Sequence, residues 1–103
     1  MEALERIKAD LRDLGEITSR PMFGGHGIYW NGVRFGLLYR GRLYFKVSSD
    51  SKEDYLARGM GPFRPNERQT SKSYYEVPQD VLEDQEAFLS WARQAIRAGQ
   101  ESA

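Results

Sequence analysis

The dipeptide Asn31-Gly32 constrains this chain more than any other pair of its residues. Asn-Gly is the preferred centre of a type I′ turn, where both residues take positive φ and the twist matches that of two antiparallel strands. Strand-like segments flank it, Ile28-Tyr29-Trp30 before and Val33 to Tyr39 after, so the pattern predicts a β-hairpin. Arg40-Gly41 separates the second strand from a third, Arg42 to Val47, and Ile17 to Met22 supplies a strand ahead of the hairpin. Pro21 in that leading strand predicts an edge position or a bulge, because proline has no N–H to give to a ladder. The result is a meander of three to four antiparallel strands. By period-two alternation Val33, Phe35, Leu37 and Tyr39 share one face, as do Leu43, Phe45 and Val47, and both sets are assigned to the core.

Helical signals bracket the meander. Leu4, Ile7, Leu11 and Leu14 recur at spacings of three and four on a helix expected to end at Gly15. Phe88, Trp91, Ala92, Ala95 and Ile96 trace a second apolar stripe as far as Gly99, with Asp84 placed to start that helix. Asp50 and Glu53 resemble a capping box opening a short helix that stops at Gly59. Met60 to Phe63 and Ser73 to Val77 read as two later strands. Between them Arg64 to Lys72 is polar and aperiodic, and is expected to be an exposed, mobile loop. Asp80 and Glu83 repeat the capping pattern over a short turn after Pro78. The predicted fold class is α+β, a mostly antiparallel sheet covered by N-terminal and C-terminal helices in the order α-β-β-β-β-α-β-β-α. A single domain is assigned to residues 1–99 and a frayed tail to residues 100–103.

The 103 residues suffice for one core and not two, and 40% hydrophobic with 29% charged residues is an ordinary globular balance. The sequence contains no cysteine, which excludes disulfides, thiol nucleophiles and thiolate metal sites. MEALERIKADL alternates charged and apolar residues, unlike a secretory signal or membrane anchor, so a soluble, cytoplasmic protein is expected. Net charge is zero, but residues 20–47 carry five cations and no acid, while residues 76–103 sum to minus 4. Such segregation matters for function only if it survives in space.

Candidate sites concentrate in the basic stretch. Gly24-Gly25-His26-Gly27 invites a phosphate-loop reading, but no further glycine falls at dinucleotide spacing, no Lys-Ser/Thr pair closes the loop, and strand-like residues follow. A sharp bend between two strands, where only glycine fits, is the better reading. His26 is the sole histidine, and neither a third group to orient it nor nearby carboxylates to complete a metal site accompany it. Glu76, Asp80, Glu83 and Asp84 could gather round a divalent cation, yet helix capping accounts for two of them. No catalytic residue, cofactor or metal is assigned. Arg34, Arg40, Arg42, Tyr44 and Lys46 mix cations with an aromatic, as a sheet that holds single-stranded nucleic acid does, although the aromatic signature of an RNA-recognition sheet is missing.

Three blocks resemble the TfoX/Sxy family, specifically its N-terminal domain. They are Arg20 to Gly27, centred on Met22-Phe23-Gly24-Gly25; Gly41 to Val47, GRLYFKV; and Ser73 to Pro78, SYYEVP. They fall in the family order and, with the terminal helices, extend the resemblance over nearly the whole chain. It implies an α+β domain and a role in gene regulation, since the best-known members promote expression of bacterial DNA-uptake (competence) genes with a cyclic-AMP-responsive transcription factor. It brings no catalytic residue or cofactor. Those members carry a second, C-terminal helical domain, and this chain ends where it would begin, which implies a stand-alone domain. His26 stands where many relatives place an aromatic, a change at the rim of the glycine bend.

The expectation is a non-enzymatic regulatory or protein-interaction domain with an unidentified protein partner. A nucleic-acid-binding domain working through the basic aromatic sheet ranks second, and an enzyme with a site at the glycine bend third. No membrane partner is expected, and a homodimer is compatible with the sequence. The candidate interaction residues are Arg20, Met22, Phe23, Gly24, Gly25, His26, Arg34, Arg40, Arg42, Tyr44 and Lys46.

Overall fold

The computed structural model describes residues 3–22 and 24–102. Helix α1 spans Ala3–Asp10 and is followed by a 3-10 turn at Arg12–Leu14. Four strands come next: β1 (Ile17–Met22), β2 (Gly25–Trp30), β3 (Val33–Tyr39) and β4 (Arg42–Lys46). Then follow α2 (Ser49–Ala57), β5 (Pro62–Asn66), β6 (Gln69–Glu76), the one-turn α3 (Gln79–Leu82) and α4 (Gln85–Glu101). All six strands form one antiparallel sheet in the order β1-β2-β3-β4-β6-β5, so the α+β prediction and its element order hold. Among the described residues no helix is long and apolar enough to cross a membrane.

Local chemistry sets the turns. Asn31 and Gly32 have φ of 48° and 80°, as a type I′ hairpin requires, and Arg40-Gly41 repeats the device at 50° and 77°. Pro21 sits in β1, an edge strand paired only with β2. The helices cover one side of the sheet. Ile7, Leu11, Ile17, Ile28, Phe35, Phe45, Val77, Phe88, Ala92 and Ile96 belong to one buried cluster there. The Phe45 ring stacks on Phe88 of α4 with centroids 5.8 Å apart and planes 9° from parallel. Tyr55 fastens α2 by meeting Trp91 edge-on at 4.6 Å and Tyr75 at 6.2 Å. Burying each such aromatic side chain contributes about 1.5–3 kcal/mol.

Five expectations need correcting. Leu37 and Tyr39 do not share the core face with Phe35. Ile28 pairs with Gly36 while Tyr29 pairs with Arg34, which leaves Phe35 as the extra residue of a bulge. A side chain on Gly36 would abut Ile28 Cβ and Phe45, so Phe35 and Gly36 both face the helices, and Leu37 and Tyr39 emerge on the other side. Arg64 to Lys72 is not a loop: it forms most of the β5–β6 hairpin, whose turn is held by the Asn66 side chain accepting from the Arg68 N–H at 2.8 Å and the Gln69 N–H at 3.0 Å. Its polarity reflects exposure of both faces at the sheet edge.

Capping also differs in detail. Helix α2 is capped by Ser48, which closes a box with Ser51, and Asp50 only occupies its first turn. Asp80 and Glu83 form no capping box: Pro78 is the N-cap of α3 and Glu83 its C-cap, Asp80 pairs with Arg58, and the Glu83 carboxylate accepts from Gln79. Asp84 does cap α4, accepting from the Ala87 N–H at 3.2 Å. Finally, α1 stops at Asp10, short of Gly15, and the chain tightens into the 3-10 turn, where the Leu14 N–H donates to the Leu11 carbonyl at 3.0 Å and the Asp10 and Leu14 carbonyls are left to tertiary donors. Gln85 Nε2 donates to the Asp10 carbonyl and Trp30 Nε1 to the Leu14 carbonyl, each at 2.6 Å.

Candidate functional site

The face of the sheet away from the helices carries the candidate site. Leu37, Tyr44, Phe63 and Tyr74 are buried there, with Met22 and Tyr39 packed around them, and every one of these is a strand residue. Burial without a covering helix comes from curl. Irregular pairing at Pro62/Phe63 and Phe63/Asn66 bends β5 over the sheet, so that Phe63 meets Tyr39 and Tyr44 edge-on at 5.4 and 5.0 Å. The Tyr39 hydroxyl donates to the Pro65 carbonyl at 3.4 Å.

Cations are laid over these rings. The Arg20 guanidinium lies 5.5 Å from the centre of Tyr29, and Arg40 lies 5.2 Å from that of Tyr39. Tyr74 receives two: the Arg34 guanidinium at 5.5 Å and the Lys46 ammonium at 5.3 Å. Arg34 Nε donates to the Tyr74 hydroxyl at 3.1 Å, and that hydroxyl donates back to the Arg34 carbonyl at 3.4 Å. Ring quadrupoles attract cations at such distances. The carboxylate of Glu76 is engaged by Arg42 Nη1 at 3.1 and 3.2 Å. Burial, and then the nearby Arg34 charge, hold the Lys46 ammonium below the usual lysine range. Burial raises the Tyr74 and Tyr44 phenols above theirs.

Strand alternation sorts the sequence-predicted residues. Arg20, Met22, Arg34, Arg42, Tyr44 and Lys46 come together on this open face. Arg40 stands at its rim in the β3–β4 turn. Gly24 has φ of 79° and Gly25 pairs with Met22, which makes the glycine cluster a tight β1–β2 connection; a Cβ on Gly25 would strike the Leu38 carbonyl. His26 is not brought to the face. It pairs with Pro21 and Leu38, shares the helix side with Ile28, and is half-buried. Phe23 lies outside the described residues.

The sequence reading missed Tyr29, Leu37, Tyr39, Phe63 and Tyr74 as members of the face. Tyr74 had a local signal, the alternation of Tyr74 with Tyr75, but its pairing with Lys46 depends on β4 meeting β6. The four carboxylates weighed as a metal site separate: Glu76 goes to Arg42, Asp80 to Arg58, Glu83 to Gln79 and Asp84 to the start of α4.

These features define a two-layer α+β domain, helices on one side of an antiparallel sheet and a cation-covered aromatic face on the other. The sequence model of the TfoX N-terminal domain matches residues 9–99 of the 103, and the chain belongs to that family. No curated protein matches it.

Proposed function

We propose that this chain is a non-enzymatic regulatory domain that docks an acidic protein partner on the open face of its sheet, within the cytoplasm and in the control of gene expression. Membership of the TfoX N-terminal domain family supports the regulatory reading, with competence genes as the process its best-known relatives govern. The observation that carries the docking reading is the state of the rings. A sheet that binds single-stranded nucleic acid presents aromatic faces on which bases stack. Here Tyr74 is 4% and Tyr44 9% exposed, and the face of Tyr74 already holds Arg34 and Lys46. The surface therefore offers positive charge around a small apolar centre, which suits acidic and apolar side chains of a protein better than bases.

Affinity capture from the native cell, with nuclease added, tests this. The expected result is a protein retained by the wild type and by a helix-side control, Arg93→Glu, and lost with Arg20→Glu/Lys46→Glu. Retention that disappears on nuclease treatment, or loss in the helix-side control alone, would refute the assignment.

A further inference from the structure

The curl that buries Phe63 also leaves a groove of about 540 Å³ between the β5–β6 hairpin and strands β3 and β4. Leu37, Phe63 and Tyr74 form its apolar floor, and Arg34, Lys46 and Arg68 supply cations along it. The volume falls in the range of sites that accept a small ligand or a few side chains.

Two like charges share this space. Arg34 and Lys46 both lie within 5.5 Å of the centre of one ring, and among the described residues neither forms an ion pair with a carboxylate. Glu76, the acid on the same face, is held by Arg42. The π-face of Tyr74 attracts each cation but carries no net charge, so their mutual repulsion is left uncompensated. An anion placed between them would remove that repulsion and gain charge-assisted hydrogen bonds from both. Burial and the Arg34 charge depress Lys46, an effect such an anion would reverse. The floor beside the cations is apolar, so the complementary ligand presents a carboxylate next to an apolar side chain.

We infer that the groove between Arg34, Lys46 and Arg68 is the specificity pocket of the open face and takes an acidic peptide segment in which Asp or Glu flanks an aromatic or aliphatic residue. This rests on the open face being the docking surface and narrows it to one pocket and one chemistry. Arg20 and Arg40 then contribute long-range attraction, and Arg42 stays with Glu76.

Side-chain NMR of the whole chain tests the assignment. The probes are N-acetyl-Glu-Phe-Glu amide, its neutral counterpart N-acetyl-Gln-Phe-Gln amide, and a single-stranded oligothymidylate. The acidic peptide is expected to shift the Lys46 side-chain and Tyr74 ring signals and to bind about tenfold more tightly than the neutral one, the factor for one charge-assisted hydrogen bond. It should also raise the Lys46 pKa. Lys46→Gln and Arg34→Gln should each remove most of the preference, Lys46→Arg should retain it, and unchanged far-UV circular dichroism would confirm that the variants fold. Equal affinity for the two peptides, or no shift at either residue, would overturn the inference. Acidic-peptide shifts confined to Arg20 and Tyr29 would overturn the pocket while leaving the docking face standing. Oligothymidylate binding tenfold tighter than the acidic peptide at Lys46 and Tyr74 would overturn both.

Discussion

Helix α4 approaches β3 closely at Gly99, and replacing it with alanine puts two opposing effects in competition. Alanine favours a helix over glycine by up to about 1 kcal/mol. Against that, a Cβ on Gly99 would stand 2.8 Å from the Arg34 carbonyl oxygen and 2.9 Å from Val33 Cγ1, where ordinary C···O contacts are about 3.3–3.6 Å. Neither neighbour yields readily. The carbonyl is backbone at the β3 bulge and accepts from the Tyr74 hydroxyl, while valine has little χ1 freedom. Overpacking of this kind costs about 1–3 kcal/mol, and the site lies near the helix end, where the propensity gain is smallest. We therefore expect Gly99→Ala to destabilise the domain by about 1–2 kcal/mol, at roughly 4–8 °C of Tm per kcal/mol for a domain of this size. Urea unfolding followed by circular dichroism should show a lower midpoint with an unchanged m-value. Gln100→Ala, which adds helix propensity at an exposed position, should be neutral or slightly stabilising. A Gly99→Ala variant as stable as the wild type would refute the argument that α4 is seated on β3 by the absence of a side chain.

Two further outcomes follow from the hairpin and the tyrosines. Gly32→Val should cost about 1 kcal/mol or more, since φ of 80° is strained for a β-branched residue; unchanged thermal stability would count against the type I′ turn. Tyr44, Tyr55 and Tyr74 all have phenols raised chiefly by burial, so their protonated forms stabilise the fold fully below the ordinary tyrosine pKa of about 10, and that contribution is lost as pH rises beyond it. Ionisation of these three rings, followed residue by residue by NMR, should then coincide with loss of far-UV signal, and their ionisation in a domain that keeps that signal would contradict the burial.

What the sequence disclosed depended on how local each signal was. Asn31-Gly32 and Asp84 act through their own neighbours, and both behave in the structure as their chemistry predicts. The phase of β3 could not be read that way. Its bulge at Phe35 is registered only by pairing with β2, and it transfers Leu37 and Tyr39 from the expected core to the opposite face. Without that shift the open face would lack its apolar centre. The β5–β6 hairpin escaped because period-two reasoning looks for one buried side, and a hairpin at the sheet edge has none over most of its length. Basic residues of the face were legible individually, but the ring beneath two of them was not, since Lys46 and Tyr74 meet only through the long-range β4–β6 ladder.

Charge segregation in the sequence becomes charge segregation in space because the chain divides its elements between layers. The five cations of residues 20–47 lie on the open face and its rim, whereas the acids at positions 80, 83, 84, 86 and 101 lie on α3, on α4 and where those helices meet. A domain polarised in this way attracts an acidic partner to one side and repels it from the other, which orients the encounter before contact. Steering alone does not select between an acidic protein and nucleic acid, both of which are anionic. In the docking reading proposed above, the state of the rings favours the protein. Arg34 and Lys46 already lie over Tyr74, and burial leaves little of Tyr44 or Tyr74 to stack upon, so base stacking would require lifting both cations from Tyr74, whereas a carboxylate can reach them where they lie.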